Sequence, residues 1–100
     1  ELVDAGASGL FYAALQWTSL DVCDDAFYSE FGRPYDLKVL SAADNALFNI
    51  FHVCGNNIGL DRFLDYPNAV FNWNNFGPGN DSLAQASRKT SKIVAAGIPQ

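Results

Sequence analysis

The stretch NIFHVCGNN, residues 49–57, holds the only histidine of the 100-residue chain and one of its two cysteines, at His-x-Cys spacing. A strand alternates its side chains between two faces, so His52 and Cys54 share one face while Phe51 and Val53 take the other. Strand rise puts the two Cβ atoms roughly 6–7 Å apart, near enough for a ring nitrogen and a sulfur to reach one ion. Imidazole and thiolate are ligands that zinc takes in a tetrahedral shell, and a catalytic zinc wants three protein ligands and one open position. The pair also suits core packing, because a buried cysteine behaves as a small hydrophobe. Two features favour the metal: the shared face, and Gly55 directly afterwards, where a backbone can approach a ligand closely. A third ligand must come from elsewhere. Cys23, in the loop after the first predicted strand, could reach the site as that ligand, but it reads better as a buried or idle thiol.

Other residue groups point to structure rather than chemistry. Asp21, Asp24 and Asp25 crowd one loop, where a helix N-terminus attracts acids through its dipole. FGPGN, residues 76–80, lacks the Gly-x-Gly-x-x-Gly order of a phosphate cradle. One histidine without a partner signal gives no Ser-His-Asp arrangement. Asn72, at the end of a predicted strand, suits either contact with a substrate or satisfaction of backbone groups.

The elements that must position these residues follow from apolar runs and breakers. Gly9–Leu15, Leu47–Val53, Asn68–Trp73 and Lys92–Ala96 read as buried strands. Asp24 caps a helix carrying Phe27 and Phe31, Gly32 ends it, and Pro34 starts a second that runs to about Asn45 with Leu37, Leu40 and Ser41 at helical spacing. A helix from about Gly59 to Asp65 presents Leu60 and Leu64 before Pro67. Ser82 and Gln85 form a capping box that opens a helix to about Thr90. Strands joined through helices are parallel, with helices expected on one side and no hairpin. The predicted class is α/β: parallel βα repeats forming about half of a (βα)8 barrel, over residues 1–100. In such folds reactive residues collect at the carboxyl ends of strands, which here means Ala13–Thr18, His52–Asn57 and Asn72–Asn80. The opening residues read like a helix end with Gly6 as its cap. The chain lacks an initiator Met and stops just after a strand, so the expectation is a segment truncated at both ends.

Composition bounds the partners. The chain is 49% hydrophobic and 17% charged, with net charge −5. That acidity argues against nucleic acid, which rewards basic surfaces. No apolar run is long enough for a membrane span, and no basic amphipathic segment favours a membrane surface. Two cysteines make no disulfide framework, so a reducing cytoplasm is expected. A half barrel would leave sheet edges and an apolar face uncovered, so the chain is expected to pack on other parts of its own protein or to form a homodimer.

The phrases ELVDAGASGLFYA, FYSEFGRPYDLKVL, FHVCGNN, LDYPNAVFNWNN, DSLAQASRKT and AAGI occur in this order along the chain. In that order the chain resembles the uroporphyrinogen decarboxylase superfamily. Phe31-x-x-Pro34-Tyr35, His52-x-Cys54-Gly55 and Phe71-Asn72-Trp73 are the specific part. The resemblance implies a segment from the later half of a (βα)8 barrel. It also implies one of two chemistries. One is metal-free decarboxylation of a porphyrinogen in tetrapyrrole biosynthesis. The other is zinc-dependent methyl transfer from a methylcorrinoid protein to a small thiol. Ala13 stands where the decarboxylases carry a pocket serine, which disfavours the first. His52 and Cys54 match the zinc ligands of the second, whose third ligand, a cysteine, would lie beyond Gln100. Zinc would then lower the acceptor thiol's pKa, and the thiolate would attack the cobalt-bound methyl group. The expected site is His52 and Cys54 for zinc, with Phe11, Ala13 and Asn72 for substrate. The alternative outside enzymology is a non-catalytic barrel fragment acting as an assembly module.

Overall fold

A computed structural model describes residues 1–99. Four strands, Phe11–Ala14 (β1), Ile50–Val53 (β2), Val70–Trp73 (β3) and Ile93–Ala95 (β4), form one parallel sheet in the order β1-β2-β3-β4. Between them run helices Asp25–Phe31 (α1), Arg33–Ala42 (α2) and Leu83–Lys89 (α3), with 3₁₀ turns at Gln16–Thr18 and Leu60–Phe63. Every strand pairing is parallel. Among the described residues the one antiparallel contact is an isolated bridge between Ser19 and Ile58, outside the strands. The class is therefore α/β, with strands and helices alternating as the apolar runs predict.

Local chemistry explains the boundaries. The Asp24 carboxylate accepts from the Phe27 N–H at 2.8 Å and starts α1. Gly32 closes α1 and opens α2, with Pro34 in the first turn, where its missing N–H costs nothing. Ser82 and Gln85 complete a reciprocal capping box for α3. At the start of the chain, Gly6 N–H donates to the Val3 carbonyl and Ala7 N–H to the Leu2 carbonyl. With Gly6 at φ 110°, this is the bonding of a helix C-terminus.

Three expectations shift. The helix expected over 59–65 is only the 3₁₀ turn Leu60–Phe63, because so short a segment before Pro67 cannot repay helix nucleation. Its bonds span three residues, as in Arg62 N–H to Gly59 O at 2.9 Å. Helix α2 stops at Ala42 rather than Asn45, where the buried Asn49 amide donates to the Ala43 carbonyl at 3.0 Å and ends the run. The strands are also shorter than their apolar runs: Leu47 and Phe48 precede the ladder and are exposed.

The sheet has two unlike faces. Tyr12, Phe51, Phe71 and Val94 stand in one row and Ala14, Val53 and Trp73 in another, and both rows pack against the helices. Tyr28, Leu40, Phe63, Tyr66 and Ala86 complete this core. The opposite face carries Phe11, Ile50, Val70 and Ile93, then Ala13, His52, Asn72 and Ala95. No helix covers it. Phe11 remains 61% and Ile93 64% exposed.

A polar knot ties the helical layer to β1. The buried Asp36 of α2 accepts from the hydroxyls of Tyr12 and Tyr66 at 2.9 Å each, and from that of Tyr28. Burial, reinforced by the hydrogen bond to Asp36, pushes the Tyr12 hydroxyl up to about 12 and those of Tyr28 and Tyr66 higher still. Among the described residues no helix is long and apolar enough to cross a membrane.

Candidate metal site at the carboxyl ends of the strands

His52 lies on the uncovered sheet face, in one row with Ala13, Asn72 and Ala95. Its Nδ1 is 2.6 Å from Asn72 Oδ1, while Asn72 Nδ2 donates to the Ala95 carbonyl at 2.6 Å. The second bond fixes which end of the amide faces the ring. Oδ1 only accepts, so Nδ1 carries the hydrogen and donates. In the neutral ring the lone pair then resides on Nε2. The Phe11 ring stacks on the imidazole with centroids 5.4 Å apart. All four strands therefore contribute to holding one ring.

Cys54 follows β2 directly and is half-buried, with a free thiol. Its backbone is tied on both sides: its N–H donates to Ala14 O at 3.3 Å, and the buried Thr18 hydroxyl donates to its carbonyl at 2.7 Å. Gly55, at φ 103°, then turns the chain away. Asn80 clamps that turn, donating to Gly55 O at 2.9 Å and accepting from Ile58 N–H at 2.9 Å.

The expected site residues divide as follows. His52 and Asn72 line a cleft of about 440 Å³ together with Ala95, Gly97 and Ile98. Cys54 and Phe11 lie outside its lining. Ala13 is exposed beside His52 in the row and borders a separate cavity of about 560 Å³ at the free edge of β1, with Tyr12, Trp17 and Phe27. Cys23 is buried, as a structural thiol should be. The neighbouring acids are structural as well: Asp21 accepts from Asn57 Nδ2 at 2.7 Å, Asp24 caps α1 and Asp25 pairs with Arg62.

Sequence reasoning missed Thr18, Asn80 and the Asn72–His52 contact. Their only signal was their position in the three segments at the strand ends. The donor set fits zinc in kind, one imidazole nitrogen and one thiol, but is incomplete. Among the described residues no group of three or more His, Cys, Asp or Glu could hold a metal ion.

No family model matches the chain, and neither the curated proteins nor the solved structures compared with it contain a match.

Proposed function

We propose that this chain is part of a (βα)8 barrel enzyme of the uroporphyrinogen decarboxylase type, in which His52 and Cys54 bind zinc for methyl transfer from a methylcorrinoid to a small thiol. One observation carries the reading. Asn72 occupies Nδ1 of His52, so Nε2 is the ring's remaining ligand atom, two residues before Cys54, which is half-buried and carries a free thiol. Zinc-binding histidines characteristically donate their other ring N–H to a nearby acceptor, which orients the ring and raises its basicity. Metal-free porphyrinogen decarboxylation would make no use of this pairing.

On this reading the third ligand comes from beyond residue 100, as the resemblance implies. When bound, zinc supplies Lewis acidity that holds an acceptor thiol as its thiolate near neutral pH. The chain's own residues do the rest. His52 and Cys54 bind, Phe11 shields one face of the imidazole, and the small side chain of Ala13 leaves room beside it.

The reaction can be tested with methylcobalamin and a small thiol in the full-length protein under anaerobic conditions. The thiolate sulfur takes the methyl group, the cobalt–carbon bond breaks, and its electron pair stays on cobalt as cob(I)alamin. Loss of methylcobalamin absorbance, abolished in His52→Ala, is the expected result. Wild-type protein carrying zinc but transferring no methyl group to any small thiol would reject methyl transfer.

A further inference from the structure

Asn72 stands where a substrate contact is expected, yet both ends of its amide are already engaged. Oδ1 accepts from His52 and Nδ2 donates to the Ala95 backbone, each at 2.6 Å. The side chain thus bridges β2 and β4 from its own strand β3, at the level where Ala13, His52, Asn72 and Ala95 stand in register. We infer that Asn72 is a positioning residue: it holds His52 in the Nδ1–H tautomer and keeps Nε2 as the ring's acceptor. The inference depends on the zinc reading only for the identity of what Nε2 binds.

An amide has one accepting and one donating end, and the two are nearly isosteric. A free side chain could flip, which would offer NH₂ to the ring and select the other tautomer. The Ala95 carbonyl prevents this, because it lies in the β4 backbone and only accepts. Flipping would set oxygen against oxygen there, while the ring faced a donor in place of an acceptor. The β4 backbone therefore dictates the amide's orientation, and the amide dictates the tautomer. The Phe11 ring, stacked at 5.4 Å, restricts rotation of the imidazole about its own axis. A neutral acceptor does this without adding charge to the site, unlike the carboxylates that often support metal-binding histidines.

The test follows the imidazole of His52 in the full-length protein, identified by the signals that vanish in His52→Gln. In ¹⁵N-labelled protein, long-range proton–nitrogen correlation at a pH well above the ordinary imidazole range reads the tautomer directly. Wild type should show a protonated Nδ1 and a bare Nε2. Asn72→Leu removes the acceptor and should move the population toward Nε2–H, the form that free imidazole side chains prefer. Asn72→Asp retains an acceptor and should keep Nδ1–H. A wild-type ring protonated at Nε2 overturns the proposal, as does an unchanged Nδ1–H ring in a folded Asn72→Leu protein. Should the leucine variant not fold, wild type still decides, because a bare Nδ1 there counts against the proposal. Zinc added to full-length wild type separates the two readings. Nδ1–H without any zinc-induced change at Nε2 supports the positioning role and rejects the metal.

Discussion

Tyr66 donates its hydroxyl to Asp36 at 2.9 Å deep in the helical layer, and the bond joins α2 to the segment that leads into β3. Tyr12 and Tyr28 converge on the same carboxylate from β1 and α1. Tyr66→Phe removes one hydroxyl, keeps the ring, and should cost about 1–2 kcal/mol. Asp36→Ala strands three hydroxyls at once and should cost on the order of 3–5 kcal/mol. Urea unfolding with an unchanged denaturant slope would check both. Equal costs for the two substitutions would contradict the shared-acceptor account.

The same knot sets a limit at high pH. Burial and the Asp36 hydrogen bond raise Tyr12 from 10.0 to about 12, and Tyr28 and Tyr66 rise further. Unfolded tyrosines ionise near 10 while the folded ones keep their protons, so the folded state binds more protons above that pH. The stabilisation is complete below about pH 10 and is lost as pH climbs toward 12 and beyond. Alkaline unfolding followed by circular dichroism should begin near pH 10 and be less steep in Tyr12→Phe. Stability independent of pH over this range would contradict the shifts.

Gly9 is a matter of space rather than of backbone conformation. A Cβ there would lie 1.7 Å from the Phe48 carbonyl oxygen, where the chain leading into β1 passes the one leading into β2. Gly9→Ala must push these backbones apart and loosen the bonds from Leu47 N–H to Ser8 O and from Leu10 N–H to Asn49 Oδ1, both 2.9 Å. A loss of about 2–3 kcal/mol is expected in thermal or chemical unfolding. An alanine variant as stable as wild type would show that this approach has slack.

The uncovered sheet face and the free edges of β1 and β4 should drive self-association of the 100-residue chain. Phe11, Ile50 and Ile93 offer apolar surface beside strand edges that each have one partner. Sedimentation velocity should show a mass that rises with concentration, and Ile93→Lys should reduce it. A compact monomer at high concentration would count against this expectation.

Much of the fold was legible because each strand is an apolar run between breakers and each α-helix opens on its own local start signal. Asp24, Gly32, Pro34 and the Ser82–Gln85 pair all act within a few residues of themselves. Strand limits were less legible, since apolar character begins at Leu47 and Phe48, before pairing starts at Ile50. His52 and Cys54 stood out by type and spacing. The Asn72–His52 bond did not, because it depends on the register between β2 and β3, which no local pattern encodes. The same holds for Thr18 on Cys54 and for the tyrosines on Asp36, all contacts between residues remote in sequence.

The metal content of the full-length protein tests the central claim most directly. Wild type should purify with, or take up, about one zinc per chain, bound with nitrogen at about 2.0–2.1 Å and sulfur at about 2.3 Å by X-ray absorption. His52→Ala and Cys54→Ala should each lose the metal, while Cys23→Ala, which alters a buried thiol outside the proposed ligand set, should retain it. Full-length wild type that carries no zinc and cannot be loaded with it would reduce the His-x-Cys pair to packing and remove the methyltransferase reading with it.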